Sequence, residues 1–88
     1  MNDTVQSTRA ILRLPQVMAE TGQSRSTIYV RIAEGLWPKP VRIGPRAVGW
    51  PAREVAAINA GRVAGFSDQE IQTLVVQLHK ARLHPDGL

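Results

Sequence analysis

Residues 14–50 read LPQVMAETGQSRSTIYVRIAEGLWPKPVRIGPRAVGW. Proline in a first turn and glycine just after a last turn are typical of a short helix, which predicts a helix over about 15–21 that ends at a left-handed Gly22. Ser24 can accept a hydrogen bond from a backbone N–H of the next turn, so we expect it to cap a second helix over about 25–34. Two helices joined by a short glycine-containing turn indicate a helix-turn-helix unit.

A β-hairpin is predicted after these helices. The two strands are expected at 41–43 and 48–50, and the turn between them at 44–47. Apolar residues alternate with Arg42 in the first strand and with Gly49 in the second. One face of the hairpin can therefore lie on the helices while Arg42 and Arg46 project. The side chains expected on the covered face are Val41, Ile43, Val48 and Trp50. Because an isolated ribbon is barely stable, we expect Trp50 to fix the hairpin to the core.

Two more helices are predicted towards the C-terminus. The first runs over about 52–62, with Val55, Ile58 and Val63 facing inward. Ser67 and Glu70 form a capping box that starts the second, over about 68–82. An apolar stripe on this last helix consists of Ile71, Leu74, Val75, Leu78 and Ala81. The stripe either folds back on the domain or mediates dimerisation. It is too short to indicate a coiled coil, so the sequence does not favour one of these alternatives.

These elements predict a mainly α protein with a small β-hairpin, in the form of a winged helix-turn-helix followed by a C-terminal amphipathic helix. A chain of 88 residues has room for one small core. The expected organisation is a disordered arm at 1–8, a DNA-binding domain at 9–63, a C-terminal helix at 64–84 and a tail at 85–88.

The net charge of +4 is concentrated in one part of the chain. Between Arg9 and Glu54 there are eight basic and three acidic residues, and the remaining charges almost cancel. Lysine and arginine placed against phosphates release counterions, which supplies affinity for nucleic acid. An anionic membrane would attract the same charges, but glycines and prolines interrupt the segment, so it is no basic amphipathic helix. Double-stranded DNA is therefore the expected partner.

The residue inventory argues against other classes. There is no cysteine, and His79 and His84 have neither the spacing nor the carboxylate neighbours of a metal site, so we expect no metal and no cofactor. Paired carboxylates and a phosphate-binding glycine loop are also missing, which argues against an enzyme. The polar residues 1–8 do not resemble a signal peptide, and no apolar run could span a bilayer. The expected location is the cytoplasm, on the bacterial or phage nucleoid.

Several motifs in one order carry a family resemblance. They are Leu14-Pro15-Gln16-Val17, Gly22 with Ser24-Arg25-Ser26-Thr27-Ile28-Tyr29, Glu34-Gly35, Pro38-Lys39-Pro40-Val41 and Gly44-Pro45-Arg46-Ala47-Val48-Gly49-Trp50-Pro51. Over roughly 9–62 the chain resembles the AlpA family of phage-type regulators, which is related to excisionases and to MerR-like winged-helix proteins. The resemblance implies a DNA-binding domain of prophages and integrative elements, with the recognition helix at 24–29 and the wing at 42–46. One departure is Ile58-Asn59, where many members carry Trp-Ile.

The residues predicted to contact DNA are Ser24, Arg25, Ser26, Thr27, Tyr29, Arg31, Lys39, Arg42 and Arg46. Arg25 reads guanine or serves as a surface or phosphate-bound arginine. Thr27 either contacts DNA or supports the helix start, and Tyr29 either contacts a phosphate or packs its ring. Arg42 and Arg46 are expected at the DNA backbone or minor groove, and both tryptophans are expected to be structural.

Three functions remain open at this stage. A transcriptional regulator would bind one operator and recruit or exclude RNA polymerase. An excisionase-like recombination directionality factor would line up several copies and bend attachment-site DNA for an integrase. An inhibitor that binds another protein through its C-terminal stripe is the third choice. Homodimers or arrays on DNA are compatible with the first two.

Overall fold

The computed structural model describes residues 10–84. The arm predicted at 1–8 and the tail predicted at 85–88 lie outside this range. Within it, three short strands and four helices follow one another in the chain. The elements are β1 (Ile11–Leu12), α1 (Leu14–Thr21), α2 (Arg25–Ala33), β2 (Val41–Gly44), β3 (Ala47–Pro51), α3 (Ala52–Val63) and α4 (Asp68–Ala81).

Local capping signals set the helix ends, as predicted. Helix α1 has its proline in the first turn and ends at Gly22, whose φ of 70° is left-handed. Helix α2 begins after Ser24, whose Oγ accepts from the N–H of Thr27 at 3.2 Å. Ser67 and Glu70 form the predicted capping box at the start of α4, with bonds of 2.8 and 3.1 Å. The four predicted helices are therefore confirmed, to within a residue or so at their ends.

The sheet has one strand more than predicted. Strand β1 pairs antiparallel with β3, so β3 is central and the order is β1-β3-β2. The predicted hairpin is present as β2, the turn and β3, and these residues, 41–51, are called the hairpin below. A two-residue strand has no alternation of its own, so the sequence pattern did not reveal it.

The expected alternation in the hairpin is wrong at Ile43. Its side chain is 45% exposed, whereas Gly49 is buried. The pairing is irregular between Arg42 and Gly44, and this bulge changes the direction of the intervening side chain. Gly49 is buried because β1 lies close against it: a Cβ there would be 2.5 Å from Ile11 Cγ2. Trp50, by contrast, is wholly buried, as expected.

The core lies between the four helices and one face of the sheet. Its buried apolar members are Leu12, Val17, Ile28, Leu36, Trp37, Trp50, Val55, Ile58, Ile71 and Val75. Ile71 and Val75 belong to the stripe of α4, which therefore packs on the rest of the domain. The inward placement predicted for Val63 is wrong, since it is 89% exposed. Five residues after Ile58, it lies about 140° round the helix from the buried side.

Candidate nucleic-acid interface

The start of α2 presents a group of small hydroxyl side chains. Ser24 Oγ, besides capping the helix, donates to Thr27 Oγ1 at 2.9 Å and lies 3.4 Å from Ser26 Oγ. Ser24 and Ser26 are exposed and Thr27 is half-buried. The hydroxyl of Thr27 is thus engaged at the helix start, while Ser26, another of the residues predicted to contact DNA, is exposed.

Arg25 and Tyr29 lie one turn apart on α2 and contact each other. The Arg25 guanidinium carbon is 5.8 Å from the centre of the Tyr29 ring, within the range of a cation–π interaction. Tyr29 also meets Trp50 in a T-shaped contact, with ring centres 6.4 Å apart and planes at 70°. Tyr29 is 39% exposed, so its ring is partly packed and partly accessible. Contacts between three side chains therefore lead from the exposed arginine to the core.

The hairpin carries its two arginines on the outside. Arg42 and Arg46 are both exposed, and Arg42 Nη2 lies 3.4 Å from the Pro45 carbonyl across the turn. That weak contact folds Arg42 towards the turn that bears Arg46. A shallow depression on the hairpin is lined by Pro40, Arg42, Gly44, Pro45, Arg46, Ala47 and Val48. The two cations are thus placed together at the tip of the hairpin.

The last two predicted residues lie apart from Arg25 and from the hairpin arginines. Arg31 is half-buried and lines a second groove along α2, which it shares with Ser26 and Thr27 at the helix start and with Glu34, Arg62 and Asp68. Arg31 is six positions after Arg25, which places it about 120° round the helix from that residue at roughly 100° per residue. Lys39 is exposed on the segment before the hairpin, and its backbone rather than its side chain carries the recorded hydrogen bonds.

The sequence pattern missed side chains that arrange this surface. Arg13 Nε donates to the Val48 carbonyl at 3.0 Å, which joins the start of α1 to the central strand of the sheet. Asn59 Nδ2 donates to the Glu20 carbonyl at 3.1 Å and so joins α3 to α1. The sequence shows Arg13 only as one of eight basic residues. Its hydrogen bond could not be predicted, because the partner carbonyl lies 35 positions away in the chain. Asn59 occupies one of the positions that depart from the family pattern.

A buried ion pair was also missed. Glu54 is 1% exposed and both of its oxygens accept from Arg82, at 2.8 Å from Nε and 2.6 Å from Nη2. In the sequence these two residues contribute only to the net charge. Nothing in a local pattern distinguishes Glu54 from a surface glutamate in the first turn of a helix.

Residues 10–84 contain neither a candidate metal cluster nor a helix suited to span a membrane. No group of three or more histidine, cysteine or acidic side chains in that range could hold a metal ion. Among the helices described, none has the length and apolar character needed to cross a membrane.

Comparison with known proteins identifies the family. A family model described as prophage CP4-57 regulatory protein (AlpA) matches residues 10–57, more than half of the chain. An uncharacterized protein, ORF88, of Enterobacteria phage P4 is 50% identical over 54 residues, which span 61% of this chain and 61% of that protein. No solved structure matches. The resemblance seen in the sequence is confirmed, and the chain belongs to the AlpA family of phage regulatory proteins.

Proposed function

We propose that the chain is a sequence-specific double-stranded DNA-binding protein of winged helix-turn-helix type, and that it regulates transcription in a prophage or integrative element. In this proposal α2 enters the major groove and the hairpin is the wing. Membership of a phage regulatory family supports the regulatory role. The basic balance of the segment that contains α2 and the hairpin supports the choice of DNA.

The observation that carries the proposal is the position of Trp50. It is wholly buried, it belongs to the central strand of the sheet, and its ring contacts Tyr29 of α2. Helix α2 and the hairpin are therefore packed against each other through the core. Two basic elements that are already packed together can contact the major groove and the adjacent backbone without first being ordered, which lowers the entropic cost of binding.

The proposed contacts follow from exposure and chemistry. Arg25, held over Tyr29, is in a position to donate two hydrogen bonds to guanine O6 and N7. Arg42 and Arg46 contact the backbone or the minor groove beside it. Phosphate contacts are assigned to Ser24, Ser26, Tyr29, Arg31 and Lys39, and Thr27 supports the helix start. Arg31, which faces a different side of α2 from Arg25 and shares a groove with Ser26 and Thr27, is assigned to the edge of the site.

The test is a titration of the purified chain with duplexes from the region upstream of its own gene and with a random duplex of equal length. We expect binding to both at low salt, with affinity that falls linearly on a log–log plot as salt rises. No complex with any duplex, or affinity independent of salt, would contradict the proposal and favour a protein-binding inhibitor.

Footprinting together with a circular-permutation bending assay distinguishes the two DNA-binding roles. One discrete protected site near the promoter is expected for a regulator. An array of sites at an attachment sequence, with strong bending, would instead show an excisionase-like factor that acts with an integrase.

A further inference from the structure

The linker between α2 and the hairpin, residues 36–40, has an unusual backbone. Pro38 and Pro40 have no N–H, so the segment cannot continue a sheet ladder. Trp37 and Pro38 are nevertheless buried. Polar backbone groups near a core need partners, and in this segment the partners have to come from side chains.

Three consecutive polar groups of the linker backbone are each held by a different side chain. The Pro38 carbonyl accepts from Trp50 Nε1 at 2.8 Å. The Lys39 N–H donates to His79 Nε2 at 3.1 Å, and the Lys39 carbonyl accepts from Arg82 Nη2 at 2.7 Å. Two of the three side chains belong to the C-terminal part of the chain, at and just beyond the end of α4. The linker is therefore held by hydrogen bonds from residues that belong neither to the first two helices nor to the hairpin.

The orientation of Arg82 is itself determined by a buried partner. Glu54, in the first turn of α3, binds Arg82 through both carboxylate oxygens. A two-nitrogen contact fixes the plane of the guanidinium, which leaves Nη2 directed at the Lys39 carbonyl as well. Because a buried carboxylate without its partner is costly, this arrangement has little freedom to change.

We propose that α4 is a positioning element of the DNA-binding surface. Through His79 and Arg82 it fixes Lys39 and the linker, and thereby sets where Arg42 and Arg46 lie relative to α2. The inference rests on the proposed function, since it assigns the hairpin arginines to DNA. The match to the family model ends at residue 57, so both positioning residues lie outside the matched segment.

The first test uses the free, full-length protein, labelled for NMR. We expect His79→Phe to accelerate hydrogen exchange at the Lys39 amide about tenfold or more and to shift the amide resonances of residues 41–48. His84→Phe, which changes the exposed histidine five positions away, is the matched control and leaves both unchanged. Unaltered exchange at Lys39 together with unshifted hairpin resonances would overturn the inference.

The second test is a double-mutant cycle on a random duplex. Arg82→Met is expected to weaken binding about tenfold in the wild-type background and hardly at all when Arg42 and Arg46 are both alanine. It also lowers the slope of log affinity against log salt, because fewer phosphates are contacted. Lys80→Met removes the same charge from an exposed position of α4 and is the control. A loss of stability alone would not change the salt slope of the folded protein.

The outcomes separate the two proposals. If the wild type binds no duplex, the proposed function fails and the positioning role fails with it. If the wild type binds and loss of Arg42 and Arg46 weakens it, but Arg82→Met behaves like Lys80→Met, only the positioning role fails. The positioning role is also overturned if Arg82→Met weakens DNA binding equally in the wild type and in the variant with alanine at positions 42 and 46. Should Arg82→Met not fold, His79→Phe with its control His84→Phe completes the same cycle without a change of charge.

Discussion

Arg25 is an exposed side chain whose position is restricted by its neighbours. Its guanidinium lies over the Tyr29 ring, and Tyr29 in turn lies against the buried Trp50. A long side chain that is already placed loses less conformational entropy when it meets a base. Arg46 lies on the turn of the hairpin and is exposed, and we expect it to make a less directional contact.

The two arginines should therefore differ in what they contribute to DNA binding. Arg25→Ala is expected to weaken binding to a selected operator more than to a scrambled duplex, with a loss of discrimination of about 1–3 kcal/mol. Arg46→Ala should weaken both equally and lower the salt slope by about one. Fluorescence anisotropy titrations measure both effects, with Lys80→Ala as the control. Equal losses on both duplexes for Arg25→Ala would contradict a base contact.

Gly49 is required by the close approach of β1 to β3. A Cβ at this position would lie 2.5 Å from Ile11 Cγ2 and 2.8 Å from the Leu12 carbonyl oxygen. Gly49→Ala must push the edge strand away, so we expect it to lower the free energy of unfolding by about 1–3 kcal/mol. In Gly44→Ala the new Cβ would meet Ala47 Cβ at an ordinary 3.5 Å, which makes it the control. Urea unfolding curves that coincide for the two variants would show that the strand contact is unimportant.

Among the structural elements, the hairpin depends most on contacts distant in the sequence. Strand β3 is flanked by β1 and β2, and its Trp50 reaches both α2 and the linker. Trp37 is similarly buried, but within residues 10–84 nothing accepts a hydrogen bond from its indole N–H. The two tryptophans therefore have similar burial and different polar contacts.

This difference provides a measurement of the linker hydrogen bond. Trp50→Phe and Trp37→Phe both remove part of a buried indole, but only the first leaves the Pro38 carbonyl without its donor. We expect Trp50→Phe to cost about 1–3 kcal/mol more in the free energy of unfolding, because an unsatisfied buried acceptor adds to the loss of packing. The comparison is made by urea unfolding at one pH. If Trp37→Phe costs as much or more, the bond to Pro38 contributes no measurable stability.

The sequence predicted elements whose signals are local. Gly22, Ser24 and the pair Ser67 and Glu70 mark helix ends within a few residues, and the structure has those ends. Strand β1 could not be predicted in this way, because two residues form a strand only when β3 is already beside them. The exposed Ile43 was mispredicted for a related reason: the bulge depends on how two strands pair, while alternation describes one strand alone.

At the scale of the molecule, the last helix is part of the core that supports the candidate interface. Ile71 and Val75 are buried with residues of α1, α2 and the sheet, and Arg82 binds Glu54. The sequence left open whether the apolar stripe packs on the domain or mediates a dimer, and two of its members, Ile71 and Val75, lie in the core. The ion pair joins positions 28 apart, which no periodic pattern reports. The nine residues predicted to contact DNA remain a prediction that only binding experiments can test.

Acid should weaken the fold through His79. Burial lowers the pKa of His79 below its ordinary 6.5, Arg82 and Lys39 lower it further, and Glu54 opposes them. Because the folded pKa is the lower one, the unfolded chain takes up the proton first as the pH falls through about 6.5. The free energy of unfolding should therefore be highest above that pH and decrease below it, until the folded state is protonated as well.

The measurement is urea unfolding between pH 7.5 and pH 5.5, a range chosen to stay above the titration of ordinary carboxylates, about 4. His79→Phe should flatten the dependence on pH, whereas His84→Phe should leave it as in the wild type. A wild-type stability that does not change over this range, or an equal slope in His79→Phe, would show that His79 is not the responsible group.

Strand β3 ends at Pro51 and α3 begins at Ala52, so no loop separates them. The same strand is bonded to a neighbour along each edge. Such a joint limits how far the hairpin can move relative to α3, because no loop residues are available to change conformation. In the proposed DNA-binding role, we therefore expect a mismatch in shape to be met mainly by the duplex, with a preference for base steps that deform easily even where no side chain touches them.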